Sequence, residues 1–217
     1  MTSPRKIISF SLWGDDKKYT IGALRNAELA LSIYPGWICR FYLGESVPLD
    51  ISEELQEFSN SEIINMNEKG DWTGMFWRFL AADHLSDIVL SRDTDSRLNK
   101  REKAAVDEWL NSDKDFHIMR DHPYHATEIL GGMWGCRNGI LHGIAGLIND
   151  YQKGDFWQVD QNFLKEKIYP LIRDRSFAHD EFFEKKPFPT VRLNKEYVGE
   201  SFDEKEAFNY NLRSLIV

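Results

Sequence analysis

Only two of the 217 residues are cysteine, Cys39 and Cys136, and no Asn-x-Ser/Thr acceptor site occurs. One disulfide between the two is the most the chain could form, and both features predict a chain that works in a reducing cytosol. No run of about 18 apolar residues exists, so no membrane-spanning helix is expected. The opening stretch MTSPRKIISFSLWG lacks a long apolar core and a small-residue cleavage site, so no signal peptide is expected and the prediction is a soluble cytoplasmic protein. Basic residues are in the minority, 27 Lys and Arg against 35 Asp and Glu, for a net charge of -8. A general nucleic-acid binder needs a basic face to replace counterions, so nucleic acid is excluded as a partner, whereas a local nucleotide pocket is not. Neither the dinucleotide pattern Gly-x-Gly-x-x-Gly nor a phosphate-loop Gly-Lys-Ser/Thr is present. There is no internal repeat, low-complexity tract or Pro/Gly/Ser linker, which predicts one domain over residues 1–217, long enough to bury a real core.

What is present is aromatic and alternating. Aromatic residues make up 13% of the chain, with seven tryptophans. Trp13, Trp72, Trp77 and Trp134 either pack the core or line a cleft suited to bases and sugar faces. KIISFSLWG (6–14) reads as a buried strand, YTIGALRNAELALSIYPG as a helix stopped by Pro35-Gly36, and WICRFYLG as a second strand. ISEELQEFSN is a short amphipathic helix, EIINMN a third strand, GMFWRFLAADHL a helix and DIVLSRD a fourth strand. Asn99 can cap the helix NKREKAAVDEWL, with Glu102 three residues on, and FHIMR is a fifth strand. The second half is less regular, with a helix around 138–151 and the amphipathic DQNFLKEKIYPLI. Strands alternating with helices predict an α/β fold with a mostly parallel sheet, in which ligands bind beyond the carboxyl ends of the strands.

Asp93 and Asp95 sit at such an end, directly after the apolar run Ile88-Val89-Leu90. Like charges this close repel, so something must compensate them. One reading is a structural cluster with the flanking Arg92 and Arg97. The other is a divalent cation: carboxylates at i and i+2 converge on one point, and Mg²⁺ and Mn²⁺ take oxygen ligands and complete their shells with substrate phosphates.

An apolar strand ending in Asp-Thr-Asp, about 90 residues into an α/β chain, resembles the metal-dependent GT-A glycosyltransferases. Other stretches agree. ISFSLWG is similar to the strand whose end holds the nucleotide base, which implies Ser11, Leu12 and Trp13 there. MFWRFLAADHL resembles the helix before the motif, from which Arg78 would reach a phosphate or donor sugar. ILGGMWGCR resembles the Gly-rich segment that shapes the donor-sugar pocket, implying Gly131 and Gly132. FAHDEFFEKKPFP resembles the C-terminal segment in which a histidine completes the metal site. Small glycosyltransferase domains of large algal viruses and some bacteria are the nearest match, over residues 6 to about 200. The resemblance implies one GT-A domain, Rossmann-like, with a mostly parallel mixed sheet flanked by helices. Its nucleotide-binding half would be about 1–98 and its donor-sugar and acceptor half about 99–217. It further implies a metal held by Asp93, Asp95 and His179, with Thr94 between the carboxylates at the nucleotide. The histidine favours Mn²⁺ over Mg²⁺. Lys186, with Lys185, would meet the diphosphate. Asp160 and Gln161 would meet the reacting sugar, and the expected reaction moves a sugar from a UDP-sugar to a glycan or other hydroxyl acceptor.

Other candidates keep plainer readings beside these. The loop Gly131-Gly132-Met133-Trp134-Gly135 lets backbone approach a ligand closely, or is a turn. His117, His122 and His125 form a weak zinc candidate without a clear fourth ligand; more simply, the segment that contains Arg120, Asp121 and His122 walls the cleft. Asp160 alone would be a helix cap. An inverting route needs a base on the acceptor, for which Asp121, Asp160 and Asp180 are available; a retaining route does not. Three competing classes remain: a haloacid-dehalogenase-type phosphohydrolase, whose Asp-x-Asp lies near the N-terminus; a nucleotide-sugar pyrophosphorylase, whose Gly-rich N-terminal loop SLWGDDKKYT lacks; and a non-catalytic module binding a nucleotide or glycan. An EF-hand loop is disfavoured by Arg97 and Leu98 at positions needing an oxygen ligand and a glycine.

Overall fold

The first strands carry apolar side chains at successive positions because both of their faces are covered. In the computed structural model, which describes residues 4–85, 87–152 and 158–216, Ile7 packs on one side of the sheet and Ile8 on the other, and Val89 and Leu90 divide in the same way. The strands are β1 (Lys6–Leu12), β2 (Ile38–Leu43), β3 (Ser61–Asn65), β4 (Ile88–Ser91), β5 (Phe116–Arg120), β6 (Trp134–Cys136) and β7 (Ser176–Asp180). They form one sheet in the order β3-β2-β1-β4-β6-β5-β7. All neighbours are parallel except β6, which runs against both β4 and β5. The result is the mixed, mostly parallel α/β sheet the sequence predicts.

One face carries α1 (Lys17–Ile33), α2 (Leu49–Glu57) and α3 (Lys100–Leu110), packed through Ala23, Ala27, Leu55, Val106 and Trp109. α1 starts where Asp16 accepts the Lys18 N–H at 2.9 Å. It comes close to the turn after β4 because Gly22 faces the Thr94 carbonyl, where a Cβ would clash. Asn99 caps α3 as expected, accepting the Glu102 N–H at 2.8 Å. Glu102 does not complete a capping box; its carboxylate accepts instead from Arg92 Nε at 2.6 Å and the Tyr34 hydroxyl at 2.9 Å.

The other face holds Phe76, Phe79, Trp134 and Phe163. Here the segment expected as an ordinary helix at 74–85 is a 3₁₀ helix, Trp72–Asp83. β1 explains part of this: the Ser11 hydroxyl accepts the Arg78 N–H at 2.9 Å, and the Ser9 hydroxyl donates to the Arg78 carbonyl at 2.7 Å. Those backbone groups are drawn to the sheet, which also fixes where Arg78 points. Further on lie α4 (Ile144–Asp150) and α5 (Val159–Phe163). A π turn, Leu164–Ile168, leads into α6 (Tyr169–Ile172). The widened turn precedes Pro170, which has no N–H to offer the previous turn and whose ring needs room there. FAHDEFFEKKPFP contains an element the sequence reading did not foresee: β7, an edge strand parallel to β5. The short α7 (Tyr210–Ser214) closes the described chain. Cys39 and Cys136 are both buried free thiols. No described helix is long and apolar enough to cross a membrane.

Candidate active site

Beyond β4 the chain turns through Asp93, Thr94 and Asp95. The flanking arginines do not compensate the two carboxylates. Arg92 is buried and ion-paired to Glu102; Arg97 pairs with Glu206 at 2.6 Å and donates to the Thr94 and Ser96 carbonyls. The cations that reach the aspartates come from elsewhere in the chain. Arg78 Nη2 lies 3.2 Å from Asp93 Oδ1 and 2.8 Å from Asp160 Oδ2, so one guanidinium ties two carboxylates together. Lys18 Nζ lies 2.6 Å from Asp95 Oδ2. The Asp93 carboxyl is pushed up by its enclosed position, against the pull of Arg78 and with further repulsion from Asp95 and Asp160.

These groups share a cavity of about 550 Å³, large enough for a nucleotide-sized ligand. Ser11, Leu12, Trp13 and Gly14 line it from the end of β1, Tyr19 from α1, Asp93 and Asp95 from the turn after β4, and Arg78, Gly131, Asp160 and Gln161 complete the wall. Trp13 stands edge-on to Trp77 at 5.9 Å. Of the flat rings weighed as cleft lining, Trp13 is at the cavity, whereas Trp77 and Trp134 belong to the core and Trp72 packs against it. The glycines act by closeness: a Cβ on Gly132 would fall on the Asp93 carboxylate, and one on Gly131 would strike Arg78 and Asp160. Gly131 lines the cavity and Gly132 lies behind Asp93.

Several expected residues are not brought here. His179 lies on β7, facing α3, where its Nδ1 meets His117 Nε2 at 2.8 Å and its Nε2 meets Glu108 at 3.0 Å. It lines a separate hollow with Lys185 and Lys186. It therefore does not complete a metal site with Asp93 and Asp95, because pairing of β7 with β5 carries it to the opposite end of α3. Lys186 likewise does not meet the cavity; its Nζ pairs with Glu184 at 2.6 Å. Asp121 is no base in the cleft. It is fully buried, taken up by Arg101 at 2.9 and 3.0 Å, Arg192 at 2.6 Å and the Val198 N–H at 2.9 Å. Asp180 is held in the same way by Arg120 and the Phe182 and Phe183 N–H groups. The three histidines of the zinc reading do not converge: His117 stacks on Trp109, while His122 and His125 lie past β5 near Tyr197.

Other cavity residues were not singled out from the sequence. Tyr19 enters from α1, next to the Lys18 that pairs with Asp95, and Gly199 and Ser201 from the tail, which is fastened by the Phe202 N–H to the Asp95 carbonyl at 2.8 Å. His125, which falls in the segment read as a wall of the cleft, also lines the cavity. An Asp-x-Asp signal points to the strand end itself; it carries no information about a tail that arrives about 100 residues later.

No protein-family model matches the chain, and no curated protein does. Solved structures do. A glycosyltransferase involved in glycosylation of the major capsid of PBCV-1 aligns with a TM-score of 0.52 at 18% identity, over 82% of each chain. The mannosyltransferase PcManGT of Pyrobaculum calidifontis, in complex with GDP-Man and Mn²⁺, gives 0.55 at 11% identity, over 83% of this chain and 56% of that one. Glucosyl-3-phosphoglycerate synthase of Mycobacterium tuberculosis, in complex with UDP, gives 0.52 at 12% identity, over 88% and 73%. The fold is the GT-A fold. In GT-A terms the cavity lies where an α/β sheet places its ligands, beyond the carboxyl ends of β1 and β4.

The residues present fit a divalent cation of the Mg²⁺ or Mn²⁺ kind. The donor set is two carboxylates one residue apart, and Asp93 is 44% exposed toward the cavity. Such ions are commonly held by one or two carboxylates plus substrate phosphates rather than by an all-protein cage. No group of three or more ligating side chains occurs among the described residues, so the three-residue set Asp93, Asp95 and His179 is not formed.

Proposed function

We propose that the chain is a single glycosyltransferase domain that moves a sugar from a nucleoside diphosphate, preferably UDP, to an acceptor hydroxyl. The observation that carries this reading is the pair Asp93 and Asp95, open to a nucleotide-sized cavity and compensated only by the mobile-ended Lys18 and the shared Arg78. Five carboxylates line that cavity (Asp15, Asp16, Asp93, Asp95 and Asp160) against one lining cation, Arg78. A diphosphate entering such a wall needs added positive charge, which a divalent metal provides.

In this mechanism Trp13 stacks on the base, with Ser11 and Leu12 bounding its site. Asp93 and Asp95 would hold the metal, whose positive charge would offset that of the diphosphate leaving group. Arg78 holds Asp93 and Asp160 in fixed relation. Asp160 and Gln161 meet the sugar. The bond from the anomeric carbon to the β-phosphate oxygen breaks, the acceptor oxygen bonds to that carbon, and the acceptor's hydroxyl proton passes to the departing diphosphate or to solvent. Gly131 and Gly132 let the β6 loop approach closely enough to enclose this centre.

A panel of UDP-sugars and GDP-mannose, incubated with Mn²⁺ and a mixture of glycan and lipid acceptors, tests the reading by release of nucleoside diphosphate. Turnover of at least one donor is expected, stopped by EDTA and reduced about a hundredfold or more in Asp93→Asn. Nucleotide binding without consumption of any donor would favour the non-catalytic module instead.

A further inference from the structure

His125 is held in one tautomer. Its Nδ1 accepts the Asp121 backbone N–H at 3.1 Å, so Nδ1 presents a lone pair and the ring proton sits on Nε2. Asp121 cannot shift to release it, since its carboxylate is clamped by Arg101 and Arg192 and accepts the Val198 N–H. Among the described residues no partner engages Nε2, and the residue lines the same cavity as the aspartates. The ring also packs against Tyr197 at 5.8 Å, and the tail turns at Val198-Gly199 and runs through Ser201 to the bond between the Phe202 N–H and the Asp95 carbonyl. His125 is thereby linked through the tail to the Asp95 end of the Asp-Thr-Asp turn.

We propose that His125 donates a hydrogen bond through Nε2–H to a diphosphate oxygen of the bound nucleotide, and is neither a metal ligand nor a base. This rests on the nucleotide-sugar reading above. A metal needs a bare ring nitrogen, and the only lone pair here is already taken by Asp121. A base needs the same lone pair. A cationic imidazolium would direct a second N–H at the Asp121 N–H, so protonation is opposed by geometry. Burial, with His122 and Arg192 nearby, acts in the same sense and brings the group down to about 3. What remains is a neutral, preorganised donor in a wall rich in carboxylates, where donors for a diphosphate are few. A neutral imidazole that polarises oxygen in this way is an established chemical role.

Two readouts on the full chain test this. The first uses no ligand: long-range ¹⁵N–¹H correlation spectra of histidine-labelled protein, with the His125 signals assigned by their loss in His125→Gln. The neutral Nε2–H tautomer is expected at every pH from 5 to 8. A titrating ring, or a proton on Nδ1, overturns the proposal. The second is calorimetric binding of UDP and of UMP with Mn²⁺. His125→Phe should weaken UDP about tenfold or more and leave UMP within about twofold. His125→Gln, which keeps an N–H near the Nε2 position, should recover most of the loss, with thermal melting to verify that both variants fold. UDP binding equal to wild type in folded His125→Phe, or a loss equally large for UMP, overturns the assignment alone. If the wild type binds neither UDP nor GDP under any divalent metal, the functional reading falls and takes this proposal with it, while the tautomer result stands by itself.

Discussion

Three strands of this sheet end in aspartate, and the three ends have different fates. After β4, Asp93 and Asp95 face a cavity, and each has one long cationic side chain beside it. After β5, Asp121 is fully buried and accepts from two guanidinium groups and a backbone N–H. At the end of β7, Asp180 is equally buried, with Arg120 and two backbone N–H groups around it. Their acidities diverge accordingly. Enclosure without enough donors pushes the Asp93 carboxyl up. For Asp180, burial opposes ionisation, but the Phe183 N–H and the Arg120 guanidinium outweigh it and hold the carboxyl below its usual range. A carboxylate at a strand end is therefore not a site by position. It becomes one when its lone pairs are left for something the chain does not supply.

The sharpest way to break that comparison is to treat Asp121 as though it were Asp93. Asp121→Ala would leave Arg101 and Arg192 without their shared partner in a buried setting, a loss of about 3–5 kcal/mol of stability. Thermal or denaturant melting measures it, and the corresponding Asp93→Ala should change stability by far less while removing activity. Next in size is the approach of the β6 loop. Gly132→Ala puts a methyl group on the Asp93 carboxylate and should displace it by an ångström or so, costing about a hundredfold in turnover. Steady-state rates at saturating metal check this, against Gly146→Ala as a control, since a Cβ at Gly146 meets nothing. The smallest effect is on pH. His117 and His179 have their pKa values lowered, chiefly by burial, and remain neutral in the fold. The unfolded chain binds protons at these rings below about pH 6.5, the folded chain only at lower pH, so their contribution is complete above that value and is lost on acidification. Each should add a slope of up to about 1.4 kcal/mol per pH unit below pH 6.5. Urea unfolding between pH 5 and 8 tests it; stability that rises on acidification through this window would contradict neutral burial.

The first half of the chain was legible because its signals are local. Apolar runs such as Ile7-Ile8 and Val89-Leu90, the Pro35-Gly36 stop and the Asn99 cap each announce an element within a few residues. The Asp-Thr-Asp strand end is equally local. The rest depends on contacts that sequence order hides. Asp121 and Asp180 resembled catalytic bases because nothing nearby in sequence tells of Arg192 or of the Phe182 and Phe183 amides turned back on Asp180. His179 resembled a metal ligand because FAHDEFF has no strong alternation to announce β7, and only its pairing with β5, some 60 residues away, decides where it points. Arg78 was legible as a cavity cation, but its hold on both Asp93 and Asp160 was not. His125 was hidden by its neighbours: three histidines close together suggest a metal, and only the Asp121 N–H shows that one of them has no lone pair to give.

The most direct test of the central claim is calorimetric titration with UDP, with and without Mn²⁺, on the wild type and on Asp95→Ala. The account predicts binding that requires the metal and is lost in the variant. UDP binding that ignores both the metal and the substitution, or no binding of any nucleotide with any divalent cation, would contradict it and leave Asp93 and Asp95 as a strand end compensated by Arg78 and Lys18.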